Sequence, residues 1–93
     1  MVANDGHYLG TLGSKYDAQS ILNEFGTYGS KFSSDSIWNE FGTYGGEFSS
    51  LSPFNKFTST PPVLIQSGSV VGYLTTNSTI RGAVNPFAIA ACR

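Results

Sequence analysis

The chain has 93 residues, a formal net charge of −1 and 12% charged residues, about half the charged fraction of an average protein. This balance excludes the basic surface of a nucleic-acid-binding protein, and the length allows one domain with a thin core. Eleven glycines, 14% aromatic residues and a single methionine favour turns and ring packing over a helical bundle. No segment approaches the ~20 apolar residues that a membrane span needs.

The N-terminal residues carry little that indicates chemistry. Residues 1–6 lack the basic and apolar segments of a signal peptide. If the protein is secreted, we therefore expect its leader to lie outside this sequence. Asp5 and His7 are interpreted as surface groups rather than a catalytic pair, and residues 7–12 are a candidate strand.

A 16-residue unit follows, covering residues 16–31 and 32–47, and residues 23–29 and 39–45 are identical. Residues 10–15 and 48–57 copy parts of the unit in decayed form. Asn-x-Phe occurs four times, at Asn23, Asn39, Asn55 and Asn85.

The repeated residues predict a scaffold of turns. Each repeat keeps a Ser three residues before the Asn (Ser20, Ser36, Ser52) and a pair of glycines after the Phe in the first two copies. We expect Ser and Asn side chains to bond nearby backbone groups, the glycines to allow positive φ or close backbone approach, and each Phe to be a buried anchor. One helical turn per repeat is an alternative, because Gly26 and Gly42 could end it.

The pattern changes after residue 57. Residues 58–62 contain Pro61-Pro62 and predict an extended connector. Residues 63–66 and 70–75, separated by Ser67-Gly68-Ser69, predict a β-hairpin. Residues 84–91 are an apolar tail that could dock on a neighbouring copy or on its own domain. Cys92, the lone cysteine, can form no internal disulfide, so it is either a free thiol or an intermolecular cross-link.

Together these elements predict an all-β or irregular fold: a small β-sheet with turn-rich 16-residue repeats and at most single helical turns. We expect a single domain over residues 1–93. Residues 7–57 form the repeat region with an N-terminal strand, 58–62 the connector, and 63–93 the hairpin and tail.

The run from Ser36 to Gly45, with its copy at residues 20–29, resembles tandem Ser-Ile-x-Asn-x-[Tyr/Phe]-Gly-x-Tyr-Gly-Ser repeats of uncharacterised secreted bacterial proteins. In those proteins, too, a Pro-Pro strand follows the repeats. The resemblance covers most of residues 8–87 and implies a similar fold and an extracellular or cell-surface setting, but no activity. This chain departs from the pattern at Glu24 and Glu40, where the similar repeats often have Pro.

Enzymatic chemistry is not expected. One His, one Cys and six acidic residues offer no nucleophile with a base and no zinc-ligand spacing. The Gly-x-x-Gly spacings lack a phosphate-binding signature. We therefore predict no catalytic residues.

Calcium is one candidate ligand, because each full repeat offers the oxygen ligands that Ca²⁺ prefers. The candidates are Asp17, Ser20, Asn23 and Glu24 in the first repeat, and Asp35, Ser36, Asn39 and Glu40 in the second. The alternative is that these side chains only satisfy the backbone of turns.

Carbohydrate is a second candidate ligand. Tyr28, Trp38 and Tyr44 recur at repeat spacing, and if exposed they could stack on sugar rings. The alternative is that these rings form the core or subunit contacts.

The sequence as a whole favours a self-assembling extracellular structural protein that forms a filament, tube or surface layer, with calcium as an optional stabiliser. Low net charge, repeats and the lack of a catalytic set support this hypothesis. The alternative is a secreted module that binds glycans or a cell surface.

Overall fold

The three strands lie in the C-terminal third of the computed structural model, which describes residues 1–91. β1 (Val63–Gln66) pairs antiparallel with β2 (Ser69–Leu74), and β3 (Ala83–Val84) pairs parallel with the other edge of β2. Ser67 and Gly68 join β1 to β2 with φ of 53° and 81°, both positive as a tight hairpin turn of type I′ requires. The predicted hairpin is confirmed, and the fold is small and β-rich with little helix.

The repeats form a continuous series of β-turns over residues 14–58, which we call the turn ribbon. The hydrogen bonds recur every third residue: Asn23 N–H donates to Ser20 O, Gly26 to Asn23 and Gly29 to Gly26, and the same series runs from Ser36 to Gly45. Five such turns and one extra glycine make up the 16-residue period. The alternative prediction of one helical turn per repeat is wrong, since these bonds close separate turns.

Serine and asparagine side chains hold the ribbon as predicted. The four Asn-x-Phe elements share one contact, in which the Asn Oδ1 accepts the backbone N–H of the Phe, at 2.8 to 3.1 Å. In the ribbon the Asn Nδ2 also donates to a carbonyl oxygen six residues earlier, for example Asn39 to Ser33 at 3.2 Å. Ser20, Ser36 and Ser52 are fully buried, and each accepts an N–H two residues on. Turn bonds and side-chain bonds within the repeats therefore satisfy much of the ribbon's backbone.

The hydrophobic core lies between the ribbon, the N-terminal segment and the sheet. Its fully buried members are Leu9, Ile21, Ile37 and Leu74. Ile21 and Ile37 occupy the same position of successive repeats, so each full repeat contributes one fully buried aliphatic side chain. Half-buried rings then enlarge the core, as expected for a chain with few aliphatic residues.

The N-terminal segment contains no regular strand, so the strand predicted over residues 7–12 is wrong. Isolated bridges join Val2 to Tyr8 and to Val63, and Thr11 to Ser20. The segment thus bridges to β1 at Val2 and to the ribbon at Thr11.

Part of the apolar tail packs against the core of its own chain. It begins in β3 and continues as a one-turn helix, α1 (Pro86–Ala90), whose N-cap is Asn85. Val84 and Ile89 contact the core, whereas Phe87 is 63% exposed. Cys92, predicted as a free thiol or a cross-link, lies outside the described residues. In the part of the chain described, no helix is long and apolar enough to cross a membrane.

Candidate interaction surface

Six aromatic side chains project from the turn ribbon into solvent. Their exposed fractions lie between 83% and 93%. They are Tyr16, Phe25, Phe32, Phe41, Phe48 and Phe57. Each is the second central residue of a turn whose first central residue is charged. The preceding charged residues are Lys15, Glu24, Lys31, Glu40, Glu47 and Lys56.

This finding corrects the prediction that the Phe of Asn-x-Phe is a buried anchor. Phe25, Phe41 and Phe57 are 92%, 93% and 84% exposed, and Phe87 is 63% exposed. The reason is the neighbouring charge. An unpaired charge cannot enter a small core, and it keeps the tip of its turn, ring included, at the surface. Phe87 has no charged neighbour in sequence; it lies in α1, and its ring meets that of Phe54.

The lysines of this surface lie over their own neighbouring rings. Lys15 Nζ is 5.5 Å from the centroid of Tyr16, Lys31 Nζ is 5.4 Å from that of Phe32, and Lys56 Nζ is 5.3 Å from that of Phe57. These distances are within the range of cation–π contacts. Each pair thus presents a ring and a positive charge together.

A groove of about 780 Å³ opens beside the last part of the ribbon. Five of the residues that line it are aromatic: Trp38, Phe41, Phe48, Phe54 and Phe87. The Trp38 and Phe54 ring centroids are 5.7 Å apart, and those of Phe54 and Phe87 are 5.3 Å apart. Glu40 and Glu47 contribute two carboxylates, and none of the groove's lining residues in the described chain is basic. The groove therefore combines apolar rings with negative charge.

The candidate calcium ligands of the first repeat are engaged in turns. Asp17 accepts the Gln19 N–H at 2.9 Å. Ser20 Oγ donates to Gly13 O at 2.8 Å, and Asn23 bonds Phe25 N–H and Asp17 O. Glu24 is exposed at the tip of its turn. The structure thus places these four residues in one stretch of ribbon, with turn bonds as their observed role.

The second repeat differs at its aspartate. Asp35 Oδ1 contacts His7 Nε2 at 2.7 Å, which ties the ribbon to the N-terminal segment. Ser36 Oγ accepts the Trp38 N–H, Asn39 repeats the two bonds of Asn23, and Glu40 lines the groove. Among the residues that the structure describes, no three His, Cys, Asp or Glu side chains are grouped to hold a metal.

The three rings considered as a sugar platform are half-buried rather than open. Trp38 packs against the core and its Nε1 donates to Ile21 O at 2.6 Å. Tyr44 stacks on the His7 ring, with centroids 4.5 Å apart. Tyr28 meets Tyr8 edge to face. Only Trp38 also lines the groove, so the three do not form one platform.

Asp5, His7, Asp35 and Tyr44 form a polar cluster that the sequence did not reveal as a unit. The pKa of Asp5 is lowered because its carboxylate accepts the His7 backbone N–H and the Tyr44 hydroxyl, the latter at 2.8 Å. The same hydroxyl contact raises the pKa of Tyr44. The cluster joins the N-terminal segment to the second repeat through two contacts, whose partners are 28 and 39 residues apart in sequence. Such distant pairs carry no local signal in one sequence.

The chain matches no protein-family model, and neither a curated protein nor a solved structure is significantly similar to it.

Proposed function

We propose that this chain is a non-enzymatic structural protein that assembles with copies of itself, in an extracellular setting, into a filament, tube or surface layer. The observation that carries the proposal is the set of six exposed rings on the turn ribbon. Rings so exposed contribute little to the stability of the single chain, so their recurrence in every repeat favours a role in contacts with other molecules.

The area these rings offer is adequate for association. An aromatic side chain can bury about 150 to 250 Å², so six together are comparable to the ~800 Å² that one partner contributes to a standard interface. A net charge of −1 adds little repulsion between copies. The extracellular setting rests on the resemblance of the repeats.

The test substitutes one set of rings. Phe25→Ser, Phe41→Ser and Phe57→Ser are combined in one variant, and Ala18→Ser, Ser34→Ala and Ser50→Ala, at repeat-equivalent exposed positions, form the matched control. Exposed substitutions change the free energy of unfolding by about 0.5 kcal/mol or less each, so both variants should remain folded. We expect the ring variant to lose the association that the wild type and the control show in sedimentation velocity. Equal association of all three proteins would contradict the proposal.

The groove supports a second candidate, a glycan-binding module. Its rings and two carboxylates are groups that stack on sugars and bond their hydroxyls. Trp38 is the single tryptophan of the chain and lines the groove. A shift of its fluorescence with a panel of oligosaccharides would favour this candidate.

A further inference from the structure

We infer that the groove receives the lysine–aromatic pairs of a second copy of this chain, Lys15–Tyr16 and Lys31–Phe32. The inference rests on the proposed function and specifies its contact. The two sides of the interface are then different surfaces, and every copy of the chain carries both of them.

The first argument is the chemistry of the two surfaces. The groove has aromatic walls and the carboxylates of Glu40 and Glu47. The two pairs present exposed rings, each with an ammonium group about 5.5 Å from its centroid. A ring entering the groove would bring its lysine to a carboxylate, and aromatic contact with a nearby ion pair is typical of strong interface positions.

The second argument is that the two surfaces are separate. Neither Lys15, Tyr16, Lys31 nor Phe32 lines the groove. Lys56–Phe57 has the same form, but it follows Phe54, a groove residue, by only two positions, and so lies beside the groove on the same chain. When two identical chains bind through different surfaces, one groove and one set of lysine–aromatic pairs stay free. Further copies can then add, and the assembly becomes a closed ring or an open helix.

The third argument is the change of charge along the repeat. Lys15 and Lys31 precede the rings at one repeat position, but the next copy of that position has Glu47. Glu47 lines the groove. Because glutamate stands where the other copies have lysine, both charged residues of the groove are acidic. Charge complementarity of this kind favours a copy of the chain over a neutral sugar.

The experiment reverses charges on each surface. Variant one carries Glu40→Lys and Glu47→Lys, and variant two carries Lys15→Glu and Lys31→Glu. Glu24→Lys and Arg81→Glu are the controls, since both residues are exposed and neither lines the groove or belongs to the two lysine–aromatic pairs. We expect each double variant to associate at least about 100-fold more weakly than the wild type, because like charges then face each other. The controls should stay within about tenfold of the wild type.

Mixing gives the decisive result. Equal amounts of variants one and two should again associate, because the reversed groove of one meets the reversed pairs of the other. Sedimentation velocity measures the assemblies, and Trp38 fluorescence reports occupancy of the groove. Wild-type association that survives charge reversal, or variants that fail to recover on mixing, would overturn the inference alone. A wild type that stays monomeric would overturn the proposed function as well. Neutral oligosaccharides that shift the Trp38 fluorescence and displace the second copy would also overturn the inference, because the groove would then bind glycans.

Discussion

At the scale of single residues, the charge before each ring decides which face of the ribbon the ring takes. Phe25 and Phe41 follow glutamates and are exposed, whereas Tyr28 and Tyr44 follow threonines and are half-buried. Ile21 and Ile37 precede apolar residues and are fully buried. The turn bonds of Ser and Asn were predictable from residue type. The burial of the rings was not, because the prediction weighed the hydrophobicity of Phe without the charge in the same turn.

Tyr44→Phe tests the polar cluster. In the wild type the pKa of Asp5 lies below its ordinary 3.8, so the Asp5 contacts stabilise the fold above about pH 4 and are lost as the pH falls through the lowered pKa. The pKa of Tyr44 lies above its ordinary 10.0, so its contribution is present below about pH 10 and is lost as the pH rises.

In Tyr44→Phe we expect the pKa of Asp5 to rise toward 3.8 and remain below it, because the His7 backbone N–H, the larger cause, is retained. An NMR titration of the Asp5 carboxyl carbon measures this change. Tyr28→Phe is the control, since the Tyr28 ring contacts Tyr8 instead. An unchanged Asp5 pKa in Tyr44→Phe would show that the hydroxyl contact is absent in solution.

At the scale of elements, the hairpin was predictable from the sequence. For the turn ribbon, the sequence predicted turns but not their arrangement. Ser67-Gly68 between two apolar runs is a strong local signal for a hairpin. A series of turns at every third residue lacks the hydrophobic period of a helix or a strand. The residue types therefore predicted turns, but not where each turn begins and ends. The isolated bridges of the N-terminal segment depend on long-range pairing, which a single sequence does not reveal.

The extra glycine of each repeat, Gly29 in the first and Gly45 in the second, lies where the backbone of the turn ribbon is most closely packed. Substitution at this position therefore tests the stability of the ribbon. A Cβ at Gly45 would overlap the carbonyl oxygen of Asn39, whereas a Cβ at Gly42 would make only ordinary contacts of 3.4 Å. Neither residue is among those with positive φ, so the space around the Cβ decides. We expect Gly45→Ala to lower the free energy of unfolding by about 3 kcal/mol or more. Gly42→Ala should stay within about 1 kcal/mol of the wild type. Urea unfolding followed by circular dichroism compares them, and equal stability would contradict the described path of the ribbon.

At the scale of the whole molecule, the tail illustrates how one segment can serve both the domain and its contacts. Thr75 N–H donates to Val84 O, so removal of residues 84–93 takes away part of the sheet. Phe87 lines the groove at the same time. Loss of assembly on truncation would therefore not separate folding from contact, and point substitutions of exposed residues are the better test.

Calcium remains a hypothesis at this scale. Most of its candidate ligands already bond the turn backbone, so an ion would have to share oxygens with those turns. A structural ion would reveal itself as chelator-sensitive assembly, because a thin core benefits from added links between repeats or copies.

The most direct test of the central claim is sedimentation velocity of the wild-type chain over a wide range of concentration, with and without a calcium chelator. We predict that the sedimentation coefficient rises with concentration into large assemblies that negative-stain microscopy shows as regular filaments, tubes or layers. A single monomer boundary at every concentration, with the chelator and without it, would contradict the account.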